Sequence, residues 1–290
     1  MKIEKTIDFI NKQNPKSRID LIKIEDIKSK QTKDHSSYQF HILKFYALLF
    51  VTDGNGDHFI DFNSYSCEKG TVLFIGNGQV HRFSETSNLK GFLLPFHDDA
   101  FNFLNIKKLT NILQLFNNEL ITPKIQLDND TFLGLKNKFE QIKKEYLAVN
   151  DTHSNQIIAA ELYTIFSILQ RQSNTNHDIN TKSQHLIKFL AFQDLLIEHI
   201  FNTSKVQDYA KWLSISGKTL NYIIKSITKK QAKTYINEYY LLRIKRVLMN
   251  RELSIKECAF QTGFEDLSNF HNFFKHHIKL TPEQFRRKYS

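Results

Sequence analysis

Phe260-Gln-Thr-Gly-Phe-Glu-Asp-Leu-Ser-Asn-Phe-His-Asn-Phe-Phe-Lys275, followed closely by Leu280-Thr-Pro-Glu-Gln-Phe-Arg-Arg287, reads as three short helices with sharp punctuation. Gly263 sits where one helix ends, because a residue without Cβ takes positive φ at no steric cost. Asp266 opens the next helix, since its carboxylate can accept the orphan amides of the first turn. Thr281 caps a last helix with Pro282 at its first position, where the missing donor would have gone unused. The pattern is a helix-turn-helix with an ordered exit.

Upstream, Asp208-Tyr-Ala-Lys-Trp-Leu-Ser-Ile-Ser-Gly-Lys-Thr-Leu-Asn-Tyr-Ile-Ile-Lys225 repeats the pattern, with Ser214 where a glycine would make the turn easiest. Ala210 is small where two helices must cross, and Leu220, Ile223 and Ile224 give the second helix an inward face. Ser216 can cap that helix, leaving Gly217, Lys218, Asn221, Tyr222 and Lys225 outward. The run from Thr234 to Met249 predicts one long helix between the two units.

The series Ala259-Phe-x-x-Gly263-Phe264-x-Asp266-x-Ser268-x-Phe270-x-x-x-Phe274-Lys275, then Thr281-Pro282-x-x-Phe285-Arg286, resembles the C-terminal signature of the AraC/XylS family of transcription regulators. Residues 208–225 are similar to the first of that family's two helix-turn-helix units, and Tyr235–Leu248 to the helix that joins them. The resemblance covers the last third of the chain.

Charge supports the same end of the molecule independently. The net formal charge is +10, and residues 181–290 hold all of it, with 19 Lys and Arg against 9 Asp and Glu. Residues 1–180 hold 21 of each sign. Cations segregated in this way point to a polyanionic partner for the C-terminal part. Outward residues near the start of a recognition helix meet base edges in the major groove. The expected DNA-binding residues are therefore Lys218, Asn221, Tyr222 and Lys225 in the first unit, and Leu267, Ser268, His271, Asn272 and Lys275 in the second. Asn221 is expected to pair with adenine, Lys218 to reach guanine or phosphate, and Tyr222 to touch a thymine methyl or sugar. Where the family commonly has a basic residue this chain has Asn272, which implies weaker guanine reading. Arg243, Lys245, Arg246, Arg251, Lys275, Lys279, Arg286, Arg287 and Lys288 are the expected phosphate contacts.

The N-terminal part has a different texture. From Tyr38, short β-type runs are divided by glycine turns: Phe45–Val51, His58–Phe62 after Asp53-Gly-Asn-Gly-Asp57, Thr71–Ile75, Val80–Phe83 and Lys90–Phe96. Such spacing predicts a small antiparallel sandwich or barrel. The order of its turns resembles the cupin-like sensor domain often found ahead of this DNA-binding unit. Many cupin enzymes hold a metal through a His-x-His pair, which is missing here; His58 and His81 stand apart in sequence, so no metal site and no cofactor is expected. Aromatics lining a barrel could instead hold a small organic effector, with Tyr46, Phe59, Phe74 and His81 as candidates. Core filling by those same rings is the competing reading.

Residues 98–125 read as short helices and a connection. Asp128 then caps a helix with Phe132, Leu135, Phe139, Ile142 and Tyr146 on one face, and a second helix runs through Ile157 to Leu169. That apolar stripe is broad enough to pair with a second subunit, as the resemblance also implies. Polar residues 173–184 read as a linker.

The expected architecture is α+β in two domains: a cupin-like β-barrel over 1–125, a helical hairpin and dimerisation element over 126–172, the linker, and an all-α domain over 185–290 with two helix-turn-helix units joined by a long helix. The expected function is a sequence-specific, DNA-binding transcription regulator controlled by a small molecule, not an enzyme. Its partners would be double-stranded DNA, a small-molecule effector and a second copy of itself, with RNA polymerase as a candidate. Two unpaired cysteines, Cys67 and Cys258, suit a reducing cytoplasm, and no run approaches the ~20 apolar residues of a membrane span. A cupin-type metalloenzyme, and a regulator controlled by protein contacts alone, are the alternatives.

Overall fold

The computed structural model describes residues 6–9, 18–29, 36–97, 99–100, 116, 123–149, 151, 153–176 and 183–289. Two compact units divide between Asp178 and Ile179.

The first unit carries two five-stranded sheets. One has the order β1 (Thr6–Ile7), β3 (His41–Leu43), β8 (Val80–Phe83), β5 (Gly56–Ile60), β6 (Asn63–Cys67). The other has the order β10 (Lys124–Gln126), β7 (Thr71–Ile75), β4 (Tyr46–Asp53), β9 (Lys90–Phe96), β2 (Ile22–Lys23). A short α1 (Ile24–Ser29) follows β2. The sheets are cupin-like but no strand is shared between them, so the barrel expected from the spacing does not close among the described residues.

Side chains alternate across a strand, and the second sheet uses both faces. Ala47, Leu49, Val51, Leu73 and Ile75 form a core with Leu43 and Phe83 of the first sheet. The intervening Leu48, Phe50, Val72, Phe74, Phe92, Leu94 and Phe96 turn the other way, onto α2 (Asn129–Lys144) and α3 (Ser154–Asn176). Burial on both faces explains why β4 and β7 read as nearly unbroken apolar runs. Phe132, Leu135, Phe139, Ile142, Ile158, Leu162, Ile165, Phe166 and Leu169 complete this layer, so the hairpin shares one core with the sheet it covers. Asp128 caps α2 by accepting from the Thr131 amide at 2.8 Å.

Two boundaries differ from the sequence reading. The stretch His58–Phe62 is no single strand: β5 ends at Ile60, Asp61 and Phe62 both take positive φ (48° and 72°), and the polar β6 returns beside it. This is a two-residue hairpin turn in the conformation that favours Asn-Gly. Asp61 holds it without glycine, accepting from Gln79 Nε2 at 2.6 Å and the Val80 amide at 3.2 Å. At the other end, α3 runs on to Asn176 and α4 (Ser183–His199) starts at Ser183, both inside the stretch read as linker. Most of the connection 98–125 lies outside the described residues.

The second unit is all helix: α4, α5 (Val206–Trp212), α6 (Gly217–Thr228), α7 (Ala232–Met249), α8 (Ile255–Gln261), α9 (Leu267–Ile278) and α10 (Pro282–Lys288). The caps fall where the sequence places them. Ser216 accepts from the Thr219 amide, Asp266 from the Asn269 amide, and Thr281 forms a reciprocal capping box with Gln284. Both turns use one geometry. The Ser214 and Gly263 amides donate to the Lys211 and Phe260 carbonyls, and those of Ile215 and Phe264 to the Ala210 and Ala259 carbonyls, all at 3.0 Å. Ser214 and Gly263 have φ of 53° and 88°.

Of these two turns, the one at Gly263 requires glycine, since a Cβ there would lie 2.3 Å from the Phe201 carbonyl oxygen. Two opposite outcomes follow for denaturant unfolding. Gly263→Ala is expected to lose at least about 2 kcal/mol, because strained φ and a backbone clash add. Ser214→Gly should gain up to about 1 kcal/mol by relieving the left-handed strain alone.

Candidate nucleic-acid interface

The outward faces of α6 and α9 are built by the same mechanism twice. Leu220, Ile223 and Ile224 bury one face of α6, and Phe270 and Phe274 bury one face of α9. Counting from the caps, Lys218 corresponds to Ser268, Asn221 to His271, Tyr222 to Asn272 and Lys225 to Lys275. Each helix then ends on a lysine at positive φ, Lys229 and Lys279, whose amide closes the last turn.

Lys218, Tyr222 and Lys225 are exposed on α6, and Ser268, Asn272 and Lys275 on α9. Tyr222 is 62% exposed and leans edge-on against His185 of α4. Leu267, at the first position of α9, is half-buried. Asn272, Lys275, His276 and Lys279 line an open hollow of about 340 Å³ along the far half of α9. Among the described residues, Lys218, Lys225, Lys275 and Lys279 have no carboxylate within ion-pair distance, so their charge is available to a ligand.

Two expected base readers are engaged elsewhere. The Asn221 side-chain oxygen accepts from the Ala232 amide at 2.8 Å, and Gln231, the residue that opens α7, supplies no side-chain cap. Asn221 therefore fastens the start of the connecting helix, and the oxygen that a two-bond contact with adenine needs is already in use. His271 is half-buried, with Nε2 3.3 Å from Glu283 on α10.

Two expected phosphate contacts are structural as well. Arg246 is only 5% exposed. Arg286 donates from Nε to the Leu248 carbonyl at 2.8 Å and from Nη1 to that of Leu253 at 2.9 Å, while Nη2 lies 3.1 Å from Cys258 Sγ. The guanidinium thus ties α10 to the last turn of α7, whose carbonyls have no helical partner. Burial pushes the Cys258 thiol up, with Arg286 pulling the other way, and the side chain belongs to the core.

The four effector candidates are not brought together. Tyr46 stacks on Phe96 and Phe74 meets Phe116, both in the layer between sheet and hairpin. Phe59 alternates to the outer face, where the Arg82 guanidinium covers its ring at 3.9 Å. His81 points between the sheets, and there the register does what sequence distance hid. His41 pairs directly across from His81, and His81 Nδ1 lies 3.4 Å from His58 Nε2. All three imidazoles are buried. Among the described residues no group of three or more His, Cys, Asp or Glu side chains is arranged to hold a metal ion.

Comparison with known proteins agrees at both ends of the chain. Residues 28–113 match a family model described as an AraC-like ligand binding domain, and residues 209–288 match one described as a helix-turn-helix domain. The HTH-type transcriptional activator RhaS of Enterobacter sp. (strain 638) is 22% identical over 254 residues, 87% of this chain and 88% of that one. The activator RhaR of Mannheimia succiniciproducens is 21% identical over 254 residues, again 87% of this chain and 88% of its own. A solved structure of ToxT from Vibrio cholerae aligns with 93% of this chain and 97% of its own at 13% identity, with a TM-score of 0.46, too loose a likeness to locate any side chain.

Asn221→Ala is expected to lower unfolding stability by about 1 kcal/mol through the orphaned Ala232 amide, measured in urea. Arg286→Gln should lose more, because several carbonyls at a helix end lose a charged donor together. A change in the salt dependence of DNA binding as the main effect of Arg286→Gln would instead make it a phosphate contact.

Proposed function

For a chain of the AraC family of transcription regulators, in which an AraC-like ligand-binding domain precedes two helix-turn-helix units and the protein binds DNA, we propose how the reading is done. Lys218, Tyr222 and Lys225 on α6, with Ser268, Asn272 and Lys275 on α9, face two consecutive major grooves on one side of the duplex. The observation that carries this is the pair of solvent-facing recognition helices fixed to one connecting helix, in the C-terminal part of the chain that holds the whole cationic excess. Leu267 and His271 flank the second reading surface, and Asn221 sets the geometry of the first.

A small molecule bound in the first unit controls this activity, by favouring one arrangement of the two units over another. Its polar groups meet the His41, His58 and His81 cluster, where three buried rings with hydrogen-bonding nitrogens stand together. The protein acts as a dimer. Leu133, Leu147, Val149 and Ile157 of the hairpin region are 46–54% exposed, more apolar surface than packing on their own sheet requires. It acts on RNA polymerase from its bound site, in the cytoplasm, without catalysing a reaction.

Selection of bound duplexes from a random pool is expected to return two short blocks about one helical turn, roughly 34 Å, apart per subunit. A single block per subunit, or no preference over bulk competitor, overturns the reading. Titration of DNA affinity against candidate small molecules should show coupling that His81→Ala removes. Sedimentation should give a dimer that Leu147→Glu with Ile157→Glu dissociates.

A further inference from the structure

The two helix-turn-helix units share one arrangement of caps and turns but differ in charge at one place. In the first unit Lys205, Ser216 and Gln231 open α5, α6 and α7; in the second Ser254, Asp266 and Thr281 open α8, α9 and α10. Matching the helices from these positions puts Lys205 opposite Ser254, Lys218 opposite Ser268 and Lys233 opposite Glu283.

In the first unit the three lysines come from three different helices and line, with Val206, Gln207 and Gly217, one open hollow of about 570 Å³. All three are exposed, and Lys233 Nζ donates to the Ser204 carbonyl at 3.1 Å. Among the described residues none of them lies within ion-pair distance of a carboxylate. The nearby Asp208 does not line the hollow and accepts from the Thr203 hydroxyl. Three ammonium groups gathered around one concavity repel each other, and an anion bound between them reverses the sign of that interaction. The second unit differs at the matching position: Glu283 puts a negative charge where the first has Lys233, held beside His271.

We propose that this hollow seats one phosphodiester of the DNA backbone, so that backbone anchoring at this position belongs to the first unit alone. The proposal rests on the DNA-binding reading above. It makes Lys205 and Lys233 positioning contacts that carry no sequence information, in contrast to the outward faces of α6 and α9.

The test uses the full chain and a duplex that the unaltered protein has selected from a random pool. Affinity is followed by fluorescence anisotropy as sodium chloride is raised, for the protein and for its Lys205→Gln, Lys233→Gln double variant, with circular dichroism confirming helix content. Loss of one phosphate contact is expected to make the slope of log affinity against log salt shallower by about 0.9. The ratio of affinities for selected and scrambled duplexes should stay within about twofold, as for a contact that weakens all sequences alike. An unchanged slope, or a changed ratio, overturns the seat. Should the double variant lose helix content, the reciprocal change Ser254→Lys with Glu283→Lys serves instead; it should steepen the slope by about 0.9, and no change overturns the proposal. If the unaltered protein selects no duplex at all, the DNA-binding reading falls and the seat with it, whereas selection with an unaltered slope removes the seat alone.

Discussion

Tyr235 and Tyr240 lie on one helix and are anchored in different halves of the second unit. Tyr235 is buried among Phe189, Phe192 and the Gln193 amide group, all on α4. Tyr240 donates its hydroxyl to the Thr262 carbonyl at 2.7 Å and stacks on Phe264, in the turn of the second helix-turn-helix. Burial pushes the Tyr240 phenol up to about 12, so it remains a neutral donor under ordinary conditions. Because α7 is a regular helix of 18 residues, about 27 Å long, with buried residues on both flanks, these anchors fix the separation of α6 and α9. A flexible connection would let the two reading surfaces move independently. A helix gripped on both sides makes them one rigid body, which is what recognition across two grooves requires.

The supports of that body are concentrated at helix ends. Asn221 reaches the first amide of α7 from α6, and Arg286 reaches its last carbonyls from α10. Both had the chemistry of DNA contacts by residue type, and both spend it on orphan groups of the connecting helix. The division of labour is physically consistent. A side chain that already satisfies a backbone group would have to leave it exposed in order to read a base, and that loss offsets the new bond. Residues without such obligations, Lys218, Tyr222, Lys225, Ser268, Asn272 and Lys275, form the remaining outward face.

The first unit follows another logic. Its second sheet is buried on both sides, by the first sheet and by the helical hairpin, so the aromatic residues divide between two cores according to strand parity. Tyr46 and Phe74 fall in the outer layer and His81 in the inner one, and Phe59 falls in neither. Polar groups inside the inner core are few, which gives the His41, His58 and His81 cluster its weight. Its members come from three strands that the sheet order β3, β8, β5 makes adjacent.

Local chemistry was enough for much of this molecule. Gly263, Asp266, Thr281 and Pro282 each act on their own neighbours, so the second helix-turn-helix and its exit could be read from residue types and spacing; the same holds for the charge segregation and for most strands of the first unit. Pairing between distant segments could not be read in this way. Which strands close on which, the turn at Asp61 and Phe62 that Gln79 supports, the meeting of three histidines, and the diversion of Asn221 and Arg286 to α7 all depend on partners far along the chain. A sequence states what each side chain can donate, accept or bury. Only the folded arrangement decides which of those capacities is already used and which is left for a ligand.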